Sequence, residues 1–136
     1  MEKKLELMSD DVIREEFIKR FTIPAGKRLG SVSSAVNHLR TMFTESKYRE
    51  SFAIIFLNTQ HEVIESKILF KGSLDTAAVY PREVIRSILI DYPGTKAVIL
   101  AHNHPSGSHT PSRSDEKITS KLKCALDTID VDLLDH

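Results

Sequence analysis

Cysteine is almost missing from this chain: Cys124 stands alone among 136 residues. A single thiol excludes an internal disulfide framework and any zinc site built from several thiolates, so a metal here would rely on histidine and carboxylate. Net charge is missing too, with 19 basic residues against 19 acidic ones, and no basic run offers a footprint for a phosphate backbone. No stretch approaches the eighteen or so apolar residues of a membrane span. The opening MEKKLELMSDDVIREEF is densely charged where a signal peptide would be apolar. These absences read as a soluble, cytoplasmic protein with no membrane partner and no support from charge for DNA binding. Internal repeats and low-complexity tracts are also missing. What remains, 40% hydrophobic residues, is enough for one compact domain with a real core.

Two helices are expected first. Val12, Ile13, Phe17 and Ile18 fall at helical spacing, and IPAGKRLG, residues 23–30, breaks the pattern with Pro24, Gly26 and Gly30. Ser31 is a good N-cap for a second helix whose Val32, Ala35, Val36, Leu39, Met42 and Phe43 form one apolar stripe for packing onto the domain. Residues 1–47 are thus an N-terminal helical segment packing on the core, and 48–136 the main domain.

From Glu50 the periodicity changes. SFAIIFLN is apolar on both faces, as a central strand is. NTQHE supplies a turn, VIESKILF a second strand, and Gly72 ends a hairpin. Pro81 opens a helix that Val84, Ile85, Ile88 and Leu89 continue until Pro93 and Gly94. AVILA is a buried strand, Ser112 starts a helix bearing Ile118, Leu122 and Leu126 with Cys124 in its core side, and VDLLDH begins a last strand. Strands alternating with helices predict an α/β domain.

The chemistry lies in AHNHPSGSHTPSRSD. His102 closes the buried strand and His104, two residues on, shares its side because strand side chains alternate. Pro105, Gly107 and Pro111 turn the chain back, and the S-x-x-D of Ser112 and Asp115 fits the first turn of the next helix, bringing Asp115 toward the imidazoles. Two imidazoles and one carboxylate suit a single Zn2+ and leave a fourth tetrahedral position open for water. A metal in such a site lowers the pKa of water from about 15.7 to about 7, and a nearby carboxylate must then carry the proton.

Each piece has a plainer explanation. S-x-x-D alone is ordinary capping chemistry, and an H-x-H pair alone is more often a solvated loop. A buried strand ending in H-x-H-P and followed at fixed spacing by a helix start is harder to explain as separate accidents. Capping and catalysis are also compatible, since Ser112 can cap the helix and still present its hydroxyl. His109, between the ligands, reads as solvent-exposed.

H-x-H-P followed by S-x-x-D resembles the signature of the JAMM or MPN-type zinc metalloproteases. HNHPSG with PREV, AVILAHNHPSG, TPS and the closing LDH resembles the RadC family, over about Arg49 to His136. The resemblance implies an MPN/JAB-like, cytidine-deaminase-like three-layer fold, a mixed central sheet flanked by helices. It implies one zinc per chain on His102, His104 and Asp115, with Ser112 stabilising an oxyanion and a glutamate leading into the first core strand as general base. Glu50 matches that place, and an acid leading into an apolar strand is partly buried more often than a random surface acid; Glu62, Glu65 and Glu83 are rivals from sequence alone.

The implied activity is hydrolysis of peptide or isopeptide bonds in a peptide or protein substrate that the sequence does not name. The alternatives are a non-enzymatic MPN-like module binding protein or DNA, or a metal-dependent nuclease using Arg113 and Lys117. Zinc deaminase chemistry is set aside, because its P-C-x-x-C ligands are missing. The helix-hairpin-helix segment of longer RadC proteins has no counterpart in residues 1–47, which weakens the family's association with DNA repair. The stop at LLDH, where relatives continue, reads as a domain lacking its C-terminal end, with a sheet edge open to pairing in a homo-oligomer.

Overall fold

The computed structural model describes residues 9–43, 51–71, 81–102 and 113–135. Ser9 and Ser31 start the first two helices as side-chain caps, accepting from Val12 N–H at 3.3 Å and Ser34 N–H at 3.1 Å. The helices are α1 (Asp10–Phe21) and α2 (Val32–Met42). They are followed by strands β1 (Ser51–Leu57) and β2 (Val63–Lys71), a short helix α3 (Pro81–Arg86), strand β3 (Ala97–His102), helix α4 (Arg113–Asp127) and strand β4 (Asp132–Asp135). The four strands form one sheet in the order β2-β1-β3-β4. β1 pairs antiparallel with both β2 and β3, and β3 pairs parallel with β4. This is the mixed sheet flanked by helices that the family resemblance implies, within the α/β class that the alternation of elements predicts.

β1 is central because every one of its residues is apolar or small, and all seven are buried. Its pleat divides the core in two. Phe52, Ile54 and Phe56 join Val98 and Leu100 of β3 and meet Ile118, Leu122 and Leu126 of α4 and Val84 of α3. Ile55 and Leu57 face the other way, with Val63 and Ala97, and are covered by Ile23, Leu29 and Leu39 from the N-terminal segment. Leu39 of α2 and the connection between α1 and α2 therefore cover this second face of the sheet.

The β1–β2 turn is organised by Asn58. Its side-chain oxygen accepts from the backbone N–H of Gln60 and of Glu62, both at 2.9 Å, and its amide donates to Glu62 Oε1 at 2.9 Å. The stretch from Gly26 to Leu29 is more than a break. It runs along the start of β2, with Gly26 N–H donating to Val63 O and Val63 N–H donating to Lys27 O, and so covers part of an edge strand. Gly26 has φ 88°, a left-handed conformation suited to glycine.

Three expectations are corrected. The helix from Pro81 does not run regularly to Pro93: after Arg86 it widens into a π-helical turn over Ser87–Asp91, closed by Tyr92 N–H donating to Ser87 O at 2.8 Å. The extra residue in that turn rotates Leu89 into solvent, 57% exposed, while Ile88 stays buried. Val36 is exposed, not packed, because the helix turns His38 toward the sheet instead. Cys124 is exposed. Leu122 and Leu126 are both fully buried, and Cys124 stands two residues from each, about 200° around the helix, which points it away from the core.

His38, 3% exposed, joins the N-terminal layer to the sheet. Ile23 N–H donates to Nδ1 at 2.9 Å, and Nε2 lies 2.7 Å from Ser66 Oγ on β2. A backbone nitrogen only donates, so Nδ1 is the acceptor and the neutral ring carries its proton on Nε2, donating to Ser66. Burial holds the His38 pKa below the ordinary 6.5. Because the folded form resists a proton that the unfolded chain accepts, this contribution to stability is complete above the ordinary imidazole value. It is lost as pH falls from there toward the lowered folded value. Urea midpoints should therefore fall between about pH 7.5 and about pH 5.5 more steeply for the parent than for His38→Leu. The leucine variant itself should lose about 1–3 kcal/mol, since the Ile23 N–H is left without its acceptor.

Candidate metal centre

The strand that carries AVILAH is buried at Ala97, Val98 and Leu100, half-buried at its other three positions, and ends at His102. Antiparallel pairing sets His102 directly opposite Phe52, so the last residue of β3 adjoins the beginning of β1. The two rings are nearly parallel, 14° apart with centroids 6.2 Å apart. Phe52 belongs to the core that α4 covers, which puts the His102 imidazole, half-buried, on the α4 side of the sheet. The chain re-enters at Arg113, and the backbone of Asp115 lies in the first turn of α4.

Glu50, His104, His109 and Ser112 lie outside the described residues, as does the side chain of Asp115. Among the described residues no three histidine, cysteine, aspartate or glutamate side chains gather into a metal-sized group. The expected donors, two imidazoles and a carboxylate with a fourth position free, are chemically suited to Zn2+. His102, half-buried at the end of a core strand, is a fitting member of that set.

Two of the rival glutamates lie away from the His102 end of the sheet. Glu62 is engaged in the Asn58 turn, beyond the far end of β1 from Phe52. Glu65 pairs with Phe56, four residues from Phe52 and so about 13 Å along the strand. Glu83 is exposed on α3 and faces Arg86 at 3.9 Å. β1, by contrast, begins at Ser51, the residue bonded to Glu50. Of the cations named for a nuclease, Lys117 is exposed on α4, and the side chain of Arg113 lies outside the described residues.

The His38–Ser66 pair resembles the start of a nucleophilic triad, and sequence reading does not single it out. It borders a cavity of about 330 Å³ lined also by Glu65, Thr41 and Ile18. The proton sits on the wrong nitrogen for activation: a base must offer Nε2 as acceptor to the serine hydroxyl, and here Nδ1 is the acceptor. The pair is a structural tie between helix and sheet. No sequence signal marks His38, because a histidine within an apolar stripe gains its role only from what the facing strand presents.

The model of the RadC-like JAB domain family matches residues 29–136, a span that includes α2 as well as the whole sheet. A UPF0758 protein of Marinomonas sp. (strain MWYL1) is 50% identical over 109 residues, which is 78% of this chain and 48% of that protein. A UPF0758 protein of Aliivibrio fischeri (strain MJ11) is 47% identical over 96 residues, 71% of this chain and 42% of the relative. One from Vibrio cholerae serotype O1 (strain M66-2) is 44% identical over 115 residues, 85% and 50%. The chain thus spans about half the length of the curated relatives it matches. Among the described residues no helix is long and apolar enough to cross a membrane.

Proposed function

Because the chain belongs to the RadC-like JAB domain family, we propose that it is a zinc-dependent hydrolase of the JAMM type, cleaving peptide or isopeptide bonds. His102, His104 and Asp115 would hold the zinc. The observation that carries this reading is the place of His102. It ends a core strand beside the start of β1 and on the side covered by α4, so the segments bearing the other expected residues leave from or return to the same end of the sheet.

The chemistry a bound zinc supplies is Lewis acidity, which polarises a carbonyl and makes hydroxide accessible near neutral pH. The remaining work belongs to the chain. Glu50 is the base that takes a proton from the attacking water and the acid that returns it to the leaving amine. The Ser112 hydroxyl donates a hydrogen bond to the carbonyl oxygen as negative charge develops on it. Ile118, Leu122 and Leu126, all buried, hold α4 against the sheet and so set where its first turn begins. The substrate is a peptide or protein segment, and fold alone says nothing more about it.

Metal content tests this reading. Plasma mass spectrometry on protein purified without a histidine tag should find one zinc per parent chain and none in His104→Ala. A parent that carries no metal and takes up no added zinc would overturn the hydrolase and favour a non-enzymatic binding module.

A further inference from the structure

A histidine ligand needs its ring plane set as well as its backbone. The torsion that sets it is broad and roughly two-fold, so a neighbour must choose the orientation. A hydrogen-bonded group outside the ligand shell is one such neighbour. A flat, immobile surface against the ring is another.

Phe52 offers that surface. It is the cross-strand partner of His102, and its ring is nearly parallel to the imidazole, 14° apart, at a centroid distance of 6.2 Å. That distance lies within the offset-stacking range of about 4.5–7 Å. The phenyl ring is wholly buried, packed among Ile54, Leu100 and Leu122. It is therefore held by the same core that docks α4. We propose that Phe52 is a positioning residue for His102, helping to fix the imidazole plane before metal arrives. The proposal rests on the zinc reading above. Its physical content is preorganisation: a ring already held in the binding orientation loses less freedom when it coordinates.

Phe56 provides the control. It is as deeply buried, on the same strand and the same face, but its ring meets Tyr92, with centroids 4.7 Å apart, and sits opposite Val98. Zinc affinity would be measured on the full chain by competition with a chromogenic chelator, for the parent, Phe52→Leu and Phe56→Leu, with thermal melts alongside. Loss of a hydrogen-bonded neighbour of a metal ligand costs roughly 10–100-fold in affinity, and a stacked ring belongs at or below the low end of that range; Phe52→Leu should weaken zinc binding by up to about tenfold, whereas Phe56→Leu lowers the melting temperature and leaves affinity unchanged.

In the metal-free parent, nuclear Overhauser contacts between the Phe52 and His102 ring protons are expected, a readout that needs no variant to fold. Parent-like affinity in Phe52→Leu, equal weakening in both variants, or missing ring contacts would each overturn the positioning role while leaving the zinc reading intact. A parent that binds no zinc would remove the zinc reading itself.

Discussion

Glu50→Gln should lower amide hydrolysis by about 10²–10⁴-fold, the usual contribution of a positioned general acid–base group, while zinc stays at one per chain. The glutamine keeps the size and polarity of the side chain and removes only its ability to carry a proton, so metal retention separates a lost base from a damaged site. The assay would follow cleavage of a peptide mixture by mass spectrometry, with His104→Ala as the metal-free reference. Glu62→Gln is the matched control: that carboxylate accepts from Asn58 in the turn beyond the far end of β1, and its loss should leave hydrolysis at the parent rate. Full activity in Glu50→Gln would move the base to another residue.

The second large effect concerns stability. Leu122→Ala should cost about 2–5 kcal/mol, because a fully buried leucine leaves both its transfer energy and a cavity behind. Leu122 has no exposed surface, and it belongs to the cluster that joins α4 to Phe52, Ile54 and Leu100. Cys124→Ala, two residues further along the same helix, should stay within about 0.5 kcal/mol, since Cys124 is exposed. Urea unfolding monitored by circular dichroism distinguishes them. Similar losses in both would mean that α4 presents a different face to the sheet. The Leu122 variant should also lose zinc at lower denaturant than the parent, since α4 carries Asp115 in its first turn.

Much of this fold is legible in the residues. SFAIIFL announces a strand buried on both faces because all seven positions are apolar or small, and the strand is central. Ser31 announces a helix start because its hydroxyl serves a local backbone donor. Ile118, Leu122 and Leu126 show their burial through spacing. β3 ends at His102 and α4 runs from Arg113, each close to where the spacing of the motifs predicts.

Other features are not legible, for an equally physical reason. His38 acquires its role from Ser66, 28 residues away, and nothing near either residue states the pairing. Cys124 looks apolar enough for the core until the rotation of α4 is set by its neighbours. The π-helical turn after Arg86 shifts Leu89 outward, and periodicity alone extends the helix through it. Phe52 is one aromatic in an apolar run until register places it opposite His102.

By itself, then, the sequence determined most of the elements, since capping, alternation and turn chemistry are local and short-ranged, and its motifs pointed to the family. Tertiary structure alone decided the strand order β2-β1-β3-β4, the face each helix covers and the ring that lies against His102. Those depend on contacts between residues far apart in the chain, where many pairings satisfy the same local pattern and only simultaneous packing of both sheet faces selects one.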